Sequence, residues 1–342
     1  MLRNSLALAA TLAVMAPWNL ATAEPFRLIV THLEPPLVPN SVMDLAHELG
    51  YFAQEGVEVE LLRFEQTPLA LAALRAGEGD MANVSVDGLL HLIIRQGEDM
   101  RAVFSPNPAL PFLIAGRDDI ASVTDLKGRT FGVGRLGSLD HSLSTQVMEA
   151  ADMAPDQVNM VALGQPGVRA QALAAGRIDA TTMSIGVWMS IPDPFGLHVI
   201  VPPDAYFEAA PVVNKVNAVP ARTLEERRDD VVAVVRAITR LSRDFAADPS
   251  AWADAIAPYA GSLDADQRLE LAKSFGASWA VNGGFERHDL RFTQAWLYQS
   301  EDFADLPTIE LDAWADFSIL EEVLAEIGVI EADAPGVLQP GQ

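Results

Sequence analysis

The chain has 342 residues, half of them hydrophobic and a fifth charged, with 47 acidic against 23 basic side chains, a net charge of −24 and no cysteine. That apolar content excludes a disordered chain, and the acidic balance argues against nucleic acid as a partner, because phosphate-backbone binding needs a basic footprint. Without cysteine there are no disulfides, thiolate metal sites or cysteine nucleophiles.

The amino terminus reads as an export signal. Met1-Leu2-Arg3-Asn4 is a short basic region, Ser5 to Ala16 is almost entirely small and apolar, and Ala21-Thr22-Ala23 is an A-x-A cleavage site before Glu24. This pattern defines a secretory signal peptide, and its apolar run falls short of the roughly 20 residues that span a bilayer. The expectation is a soluble protein exported to the periplasm and cleaved near Ala23.

From Glu24 onward, short β-rich runs alternate with helix-patterned segments, which points to an α/β fold with parallel sheets. The order begins with a strand at Phe26–Leu33, a helix at Asp44–Gln54, a strand at Val57–Phe64 and a helix at Pro68–Arg75. A strand at Met81–Val84 and a helix at Val86–Gln96 follow, then strands at Arg101–Phe104, Phe112–Ala115 and Thr130–Val133. A helix at Ser138–Ala151, a strand at Val158–Leu163, a helix at Gly167–Ala175 and strands at Ala180–Met183 and His198–Val201 complete this part. From about Leu224 helices take over, at Val231–Phe245, Ala265–Phe275, His288–Gln299 and Asp312–Ile327, each with apolar residues at 3–4 spacing. Residues 301–342 hold eleven acidic and no basic side chains, the pattern of a solvated helical face or tail.

An internal repeat is the most informative feature. Gln66 to Ser85 and, 99 residues later, Gln165 to Ser184 both fit Q-x6-A-L-x-A-G-x-x-D-x4-S without a gap. In each copy an Ala/Leu-rich helix ends at a glycine (Gly77, Gly176) suited to the left-handed C′ position. The Asp then opens a short strand, and the Ser closes it. Two copies imply two similar α/β lobes. Ligands of open α/β sheets bind beyond the carboxyl ends of the strands, so Ser85 and Ser184 are expected on opposite walls of one cleft.

The run Gly50-Tyr51-Phe52 through Gly56-Val57-Glu58-Val59 resembles the opening of extracytoplasmic solute-binding proteins of ABC importers. Ala73–Asp80, Asp125-Leu126-Lys127-Gly128-Arg129-Thr130-Phe131-Gly132-Val133, Gly137-Ser138-Leu139-Asp140-His141 and Ala172–Asp179 continue the resemblance. The group comprises the sulfonate-, taurine- and nitrate-binding proteins (SsuA/TauA) and the NMT1/THI5-like proteins. It implies a type II clamshell of two lobes with parallel or mixed sheets, flanking helices and a helical C-terminal part. Crossings near Pro106–Pro111 and Ala205–Val216 would make the first lobe discontinuous, as 24–107 plus 213–342, with 108–212 as the second. The resemblance further implies a monomer without cofactor or metal. It would capture a small polar, anionic organic solute, sulfonate- or taurine-like or thiamine-precursor-like, and deliver it to an ABC permease and its ATPase in the inner membrane. Sulfonate binders often carry a Trp-Asp-Pro-like stretch where this chain reads Ser184-Ile185-Gly186, so the anchor from that loop is altered.

In such a fold the solute meets loop ends and helix N-termini. Ser138 is placed as an N-cap whose helix offers N–H groups and a half-positive end to an anionic oxygen, with His141 one turn on and Arg135 in the same loop. From the first lobe the candidates are Thr31 and His32 at the end of the first strand, Glu34 just beyond, Gln66 and Thr67 at the next loop, and Ser85 and Asp87 after the third strand. Gln165 and Ser184 approach from the second lobe, and Asn214 from the second crossing.

Catalytic patterns are weak. No G-x-S-x-G, H-E-x-x-H or P-loop sequence occurs. Gly132-x-Gly134 followed by Gly137 imitates a dinucleotide loop, but no acid ends a strand about twenty residues on. The histidines His32, His47, His91, His141, His198 and His288 show no clustered ligand spacing. Two alternatives stay open: an enzyme of a pyrimidine- or menaquinone-type pathway on the same scaffold, and a ligand sensor that partners a periplasmic receptor domain.

Overall fold

The computed structural model describes residues 24–108, 111–136, 139–189, 191–261, 263–300 and 302–331. Ten strands form two five-stranded sheets. They are β1 (Phe26–Val30), β2 (Val59–Arg63), β3 (Met81–Ser85), β4 (Met100–Phe104), β5 (Phe112–Arg117), β6 (Thr130–Val133), β7 (Asn159–Ala162), β8 (Ala180–Ser184), β9 (Leu197–Val201) and β10 (Lys215–Pro220). The first sheet has the order β2-β1-β3-β10-β4 and the second β7-β6-β8-β5-β9. In the first, β1 runs parallel to β2 and β3, and β10 is inserted antiparallel between β3 and β4. In the second, β6 runs parallel to β7 and β8, and β5 is inserted antiparallel between β8 and β9. Each inserted strand is the first element after the chain crosses from one lobe to the other, and the expected two-lobed α/β architecture is present.

The repeat is equivalent down to its hydrogen bonds. Gly77 and Gly176 both take left-handed backbones, φ +81° and +66°, after the helices Thr67–Ala76 and Pro166–Ala174. Asp80 N–H donates to Arg27 O, and Asp80 Oδ2 accepts the Arg27 N–H at 2.8 Å. Asp179 N–H donates to Thr130 O, and Asp179 Oδ2 accepts the Thr130 N–H at 2.9 Å. The repeated Asp therefore staples the central strand that it opens, β3 or β8, to its parallel neighbour, β1 or β6. An arginine on or just before that neighbouring strand accompanies each one, Arg27 at 2.9 Å and Arg129 at 3.8 Å.

Several expected boundaries shift for local reasons. The Asp44–Gln54 helix is two helices, Val42–Glu48 and Tyr51–Gln54, because Gly50 adopts a left-handed conformation between them. The segment Lys215–Pro220, unassigned from sequence, is a central strand. Its residues from Val216 to Pro220 are all buried, so it shows no alternation, and a proline closes it. The acidic C-terminal stretch carries more than a solvated face. Trp314, Ile319 and Val323 are buried in the first lobe's core, and Trp314 O and the Asp316 N–H pair with Ala102 of β4. Its described acids are exposed or, at Asp316, half-buried, and Glu322 and Glu326 pair with Arg228 and Arg236.

The C-terminal helices pack chiefly on the first sheet, led by Arg228–Ala247, whose apolar side is buried. They also touch the second lobe. Phe292 and Trp296 of the helix Arg287–Leu297 pack against its core, and the helix Ala265–Ser274 contacts Ile185–Met189. The two crossings are tied together by Ser105, whose hydroxyl donates to Lys215 O at 2.8 Å. Beneath them lies Gly284 at φ +55°; a Cβ there would stand 2.5 Å from Ser105 O, so no other residue fits this seat.

Burial pushes the Asp80 carboxyl up, but hydrogen bonds from the Arg27 side chain and backbone and the charges of Arg27 and Arg227 outweigh it and hold the pKa below 3.8. A depressed carboxylate contributes stability that is present above its unfolded pKa and lost as pH falls through the folded one. Asp80→Asn is therefore expected to lower stability by about 1–3 kcal/mol at pH 7, with the deficit shrinking below pH 4. Urea unfolding of both proteins at pH 7 and in this acid range checks it; a deficit independent of pH contradicts the assignment.

Candidate functional site

The carboxyl ends of the parallel strands of both sheets face a cleft that holds two cavities meeting at Asn214. The larger, about 600 Å3, lies between the helices Val86–Gln96 and Leu139–Ala150 and is closed by residues 212–214 and the helix Arg287–Leu297. The smaller, about 260 Å3, sits over the crossings and is lined by Thr31, His32, Pro36, Val38, Asn40, Asn107, Pro111, Phe112, Ser184, Asn214 and Lys215.

The floor obeys the internal symmetry. Ser85 ends β3 opposite Lys215, the first residue of β10, and Ser184 ends β8 opposite Phe112, the first residue of β5. The Val86 N–H donates to Asn214 O and the Ile185 N–H to Pro111 O, both at 3.0 Å. Lys215 and Phe112 therefore occupy equivalent places and both line the smaller cavity. One lobe offers it a cation where the other offers an aromatic ring.

Lys215 was missed at the sequence level. Its Nζ donates to Thr31 Oγ1 at 2.7 Å, and Thr31 Oγ1 donates to Asn83 O at 3.2 Å. Among the described residues no carboxylate forms an ion pair with it, and burial alone holds its pKa below the ordinary 10.5. The available signal was composition. The chain has three lysines, Lys127, Lys215 and Lys273, and Lys215 interrupts the apolar run Val212-Val213-Asn214-Lys215-Val216.

The cleft collects part of the expected set. Thr31, His32, Ser184 and Asn214 line the smaller cavity, and Asp87, His141 and Asn214 the larger, together with Arg135. Thr31 serves as the acceptor that seats the lysine. His32 Nε2 lies 2.7 Å from Asp44 Oδ2, and Arg63 pairs with the other oxygen of this fully buried carboxylate, also at 2.7 Å. Ser184 Oγ accepts the Val187 N–H at 3.4 Å. Asp87 occupies the first turn of its helix, where its charge already complements the positive end.

Other candidates line neither cavity. Glu34, Gln66 and Gln165 are exposed; the two glutamines are N-cap residues whose side chains make no cap bond. Thr67 Oγ1 accepts the Ser85 N–H at 3.1 Å, so this pair ties a helix start to the end of β3. Ser138 lies outside the described residues.

The loop after β6 is organised from within its lobe. Gly134 N–H donates to Asp140 Oδ2 at 2.7 Å, and a Cβ on Gly134 would stand 3.1 Å from Asp140 Oδ1. Arg169, almost wholly buried, pairs with Asp140 at 3.2 Å and donates to Gly164 O and Thr182 O. The glycines that imitate a dinucleotide loop thus admit Asp140 and, at Gly132, Ile178.

Two sheets of this order, joined by paired crossings under a cleft, define the periplasmic-binding-protein fold. The sequence matches the family described as NMT1/THI5 like over residues 42–251, more than half the chain, and the protein belongs to that family. None of the curated proteins compared with it matches. Among solved structures, it is similar to the putative sulfonate-binding protein SsuA of Methylobacillus flagellatus KT, with 13% identity, TM-score 0.68, and 92% of this chain and 98% of that one covered. The aliphatic sulphonate-binding protein SsuA of Escherichia coli gives 15%, 0.64, 94% and 96%. The desulfurization enzyme DSZB gives 18%, 0.59, 88% and 99%, so the same scaffold also carries chemistry.

Removing one partner of a buried pair leaves the other charge uncompensated. Asp140→Ala is expected to destabilise the protein by about 3–5 kcal/mol, with Asp140→Ala/Arg169→Met recovering part of the loss. Denaturant unfolding of the three proteins measures both; a single-variant loss under about 1 kcal/mol would show that Arg169 does not depend on Asp140.

Proposed function

We propose that this protein is an exported, monomeric receptor that captures a small anionic solute between its lobes and hands it to an ABC permease and its ATPase in the inner membrane. The observation that carries the reading is Lys215, a half-buried ammonium on the cleft floor that bonds a neutral hydroxyl and has no paired carboxylate among the described residues. A buried charge without a partner is costly, and an oxyanion arriving in the cavity supplies the missing one. The family and the fold support the receptor role.

Phe112 and Ser184 belong to one lobe and Thr31 and Lys215 to the other, so a solute touching all four favours the closed arrangement. Ligand and closure then stabilise one another in the manner of a population shift. The oxyanion is a carboxylate or a sulfonate; both can accept from Lys215. The cleft binds and releases its solute unchanged, so solute recovered after incubation is chemically intact. A product accumulating over time would contradict this in favour of an enzyme.

The pH dependence follows from the lysine. Its folded pKa is lowered by burial, so the charge that attracts the anion is lost as pH rises through a value below 10.5. Calorimetric affinity for a bound carboxylate or sulfonate is expected to fall as pH rises through that value in the wild type. Lys215→Arg keeps its charge and should remain flat. Lys215→Met should lose on the order of 10- to 100-fold at pH 7, the weight of a charged hydrogen bond of about 1.5–3 kcal/mol. Unchanged binding by Lys215→Met would overturn the reading.

A further inference from the structure

The smaller cavity holds a second unmet demand besides the lysine. Asn40 and Asn107 both line it, are 5% and 8% exposed, and each has an Oδ1 that accepts no hydrogen bond. An amide can be turned over to exchange its donor and acceptor, so the orientation needs an argument. For Asn40 a buried relay provides one. Asn40 Nδ2 donates to Asn83 Oδ1 at 3.2 Å, and Asn83 Nδ2 donates to Asn217 Oδ1 at 2.8 Å. Asn217 Nδ2 in turn faces the thioether sulfurs of Met81 and Met43 at 3.2 and 3.7 Å.

A thioether accepts weakly and cannot donate. Turning Asn217 over would point its oxygen at two sulfurs, an arrangement with no hydrogen in it. The amide must therefore keep its NH2 toward the sulfurs. Its oxygen then accepts from Asn83, whose oxygen accepts from Asn40. Asn40 has spent a donor on the relay and keeps its acceptor without one.

The charge of the missing donor can also be read. None of the described residues lining this cavity is a carboxylate, while Lys215 places a cation in it. A ligand ammonium would be repelled by the lysine and would find no counter-charge on the wall. Phe112, Pro36, Pro111 and Val38 supply flat or apolar flanks.

We infer that the solute carries, beside its oxyanion, an uncharged N–H donor such as an amide or a ring N–H, which Asn40 reads. This rests on the anion-capturing role proposed for Lys215. Loss of the donor leaves buried acceptors unpaired, which is how a polar site rejects a close analogue.

Three probes of eight non-hydrogen atoms test it: succinamate and N-acetylglycinate, which carry an amide N–H, and 4-oxopentanoate, which replaces it with a methyl or methylene group. Calorimetry should show at least one amide binding tenfold or more tighter than 4-oxopentanoate. Asn40→Leu should close or reverse that gap while binding 4-oxopentanoate at least as well as the wild type, a crossed preference that a folding defect cannot produce. Should 4-oxopentanoate match both amides in the wild type while Lys215→Met abolishes all binding, the donor inference fails and the anion reading stands. Should Lys215→Met bind all three unchanged, or none of the three bind the wild type, the anion-plus-donor class fails with the reading beneath it.

Discussion

The structure turns on one unbalanced charge. Lys215 starts the strand that re-enters the first sheet, so its backbone is held by Ser85 of β3 on one side and by the Ser105 hydroxyl, which donates to Lys215 O, on the other. Its side chain is then directed to a hydroxyl that cannot neutralise it. In a chain with twice as many acids as bases, a half-buried ammonium without a paired carboxylate among the described residues is conspicuous. A folded protein tolerates such a group because a few kcal/mol of local cost is set against a large core, and in the proposed receptor role the cost is recovered when an anion arrives. That recovery is available only where both lobes contribute to the cavity, so charge pairing and closure are linked.

The duplicated scaffold explains how this arrangement is held. Asp80 and Asp179 lock the central strands they open, β3 and β8, to β1 and β6, and β10 and β5 each follow a crossing into the sheet they complete. The two lobes then present equivalent backbone positions to the cleft. What differs is the side chain placed there: lysine against phenylalanine, and asparagine (Asn214) against proline (Pro111). A symmetric frame thereby carries an asymmetric site, with the polar recognition concentrated on the first lobe and the crossings. The second lobe adds an apolar flank and the Ser184 hydroxyl. Contacts of the Arg287–Leu297 and Ala265–Ser274 helices with the second lobe add a buttress beside the crossings, a feature that two chain crossings alone do not require.

Much of this fold was legible. The Q-to-S repeat identified both helix–strand units, since a glycine C-cap and a strand-opening Asp are demands of local geometry. Nine of the strands showed as β-rich runs between turn residues. The tenth did not, because a strand buried on both faces, with Asn217 in its middle and Pro220 at its end, has neither alternation nor the usual composition. With it went Lys215. Residues at strand ends that line the smaller cavity, such as Thr31, His32 and Ser184, could be named from topology alone. Gln66, Thr67 and Gln165 were misjudged for an instructive reason. Their spacing marks the start of a helix, and a helix start in this frame lies at the rim of the lobe or is consumed by a tie to the next strand. Asn40 was invisible, since nothing local distinguishes an ordinary asparagine from one whose amide orientation is dictated, through Asn83 and Asn217, by two methionine sulfurs.

Direct titration of the Lys215 ammonium tests the central claim. With the chain labelled at the lysine ε-carbon, and Lys127 and Lys273 replaced by arginine to leave one signal, NMR should give a midpoint below 10.5 in the free protein. Adding a saturating carboxylate or sulfonate that binds should raise it, because the anion stabilises the charged form. A midpoint at the ordinary lysine value that no bound anion moves would contradict the account.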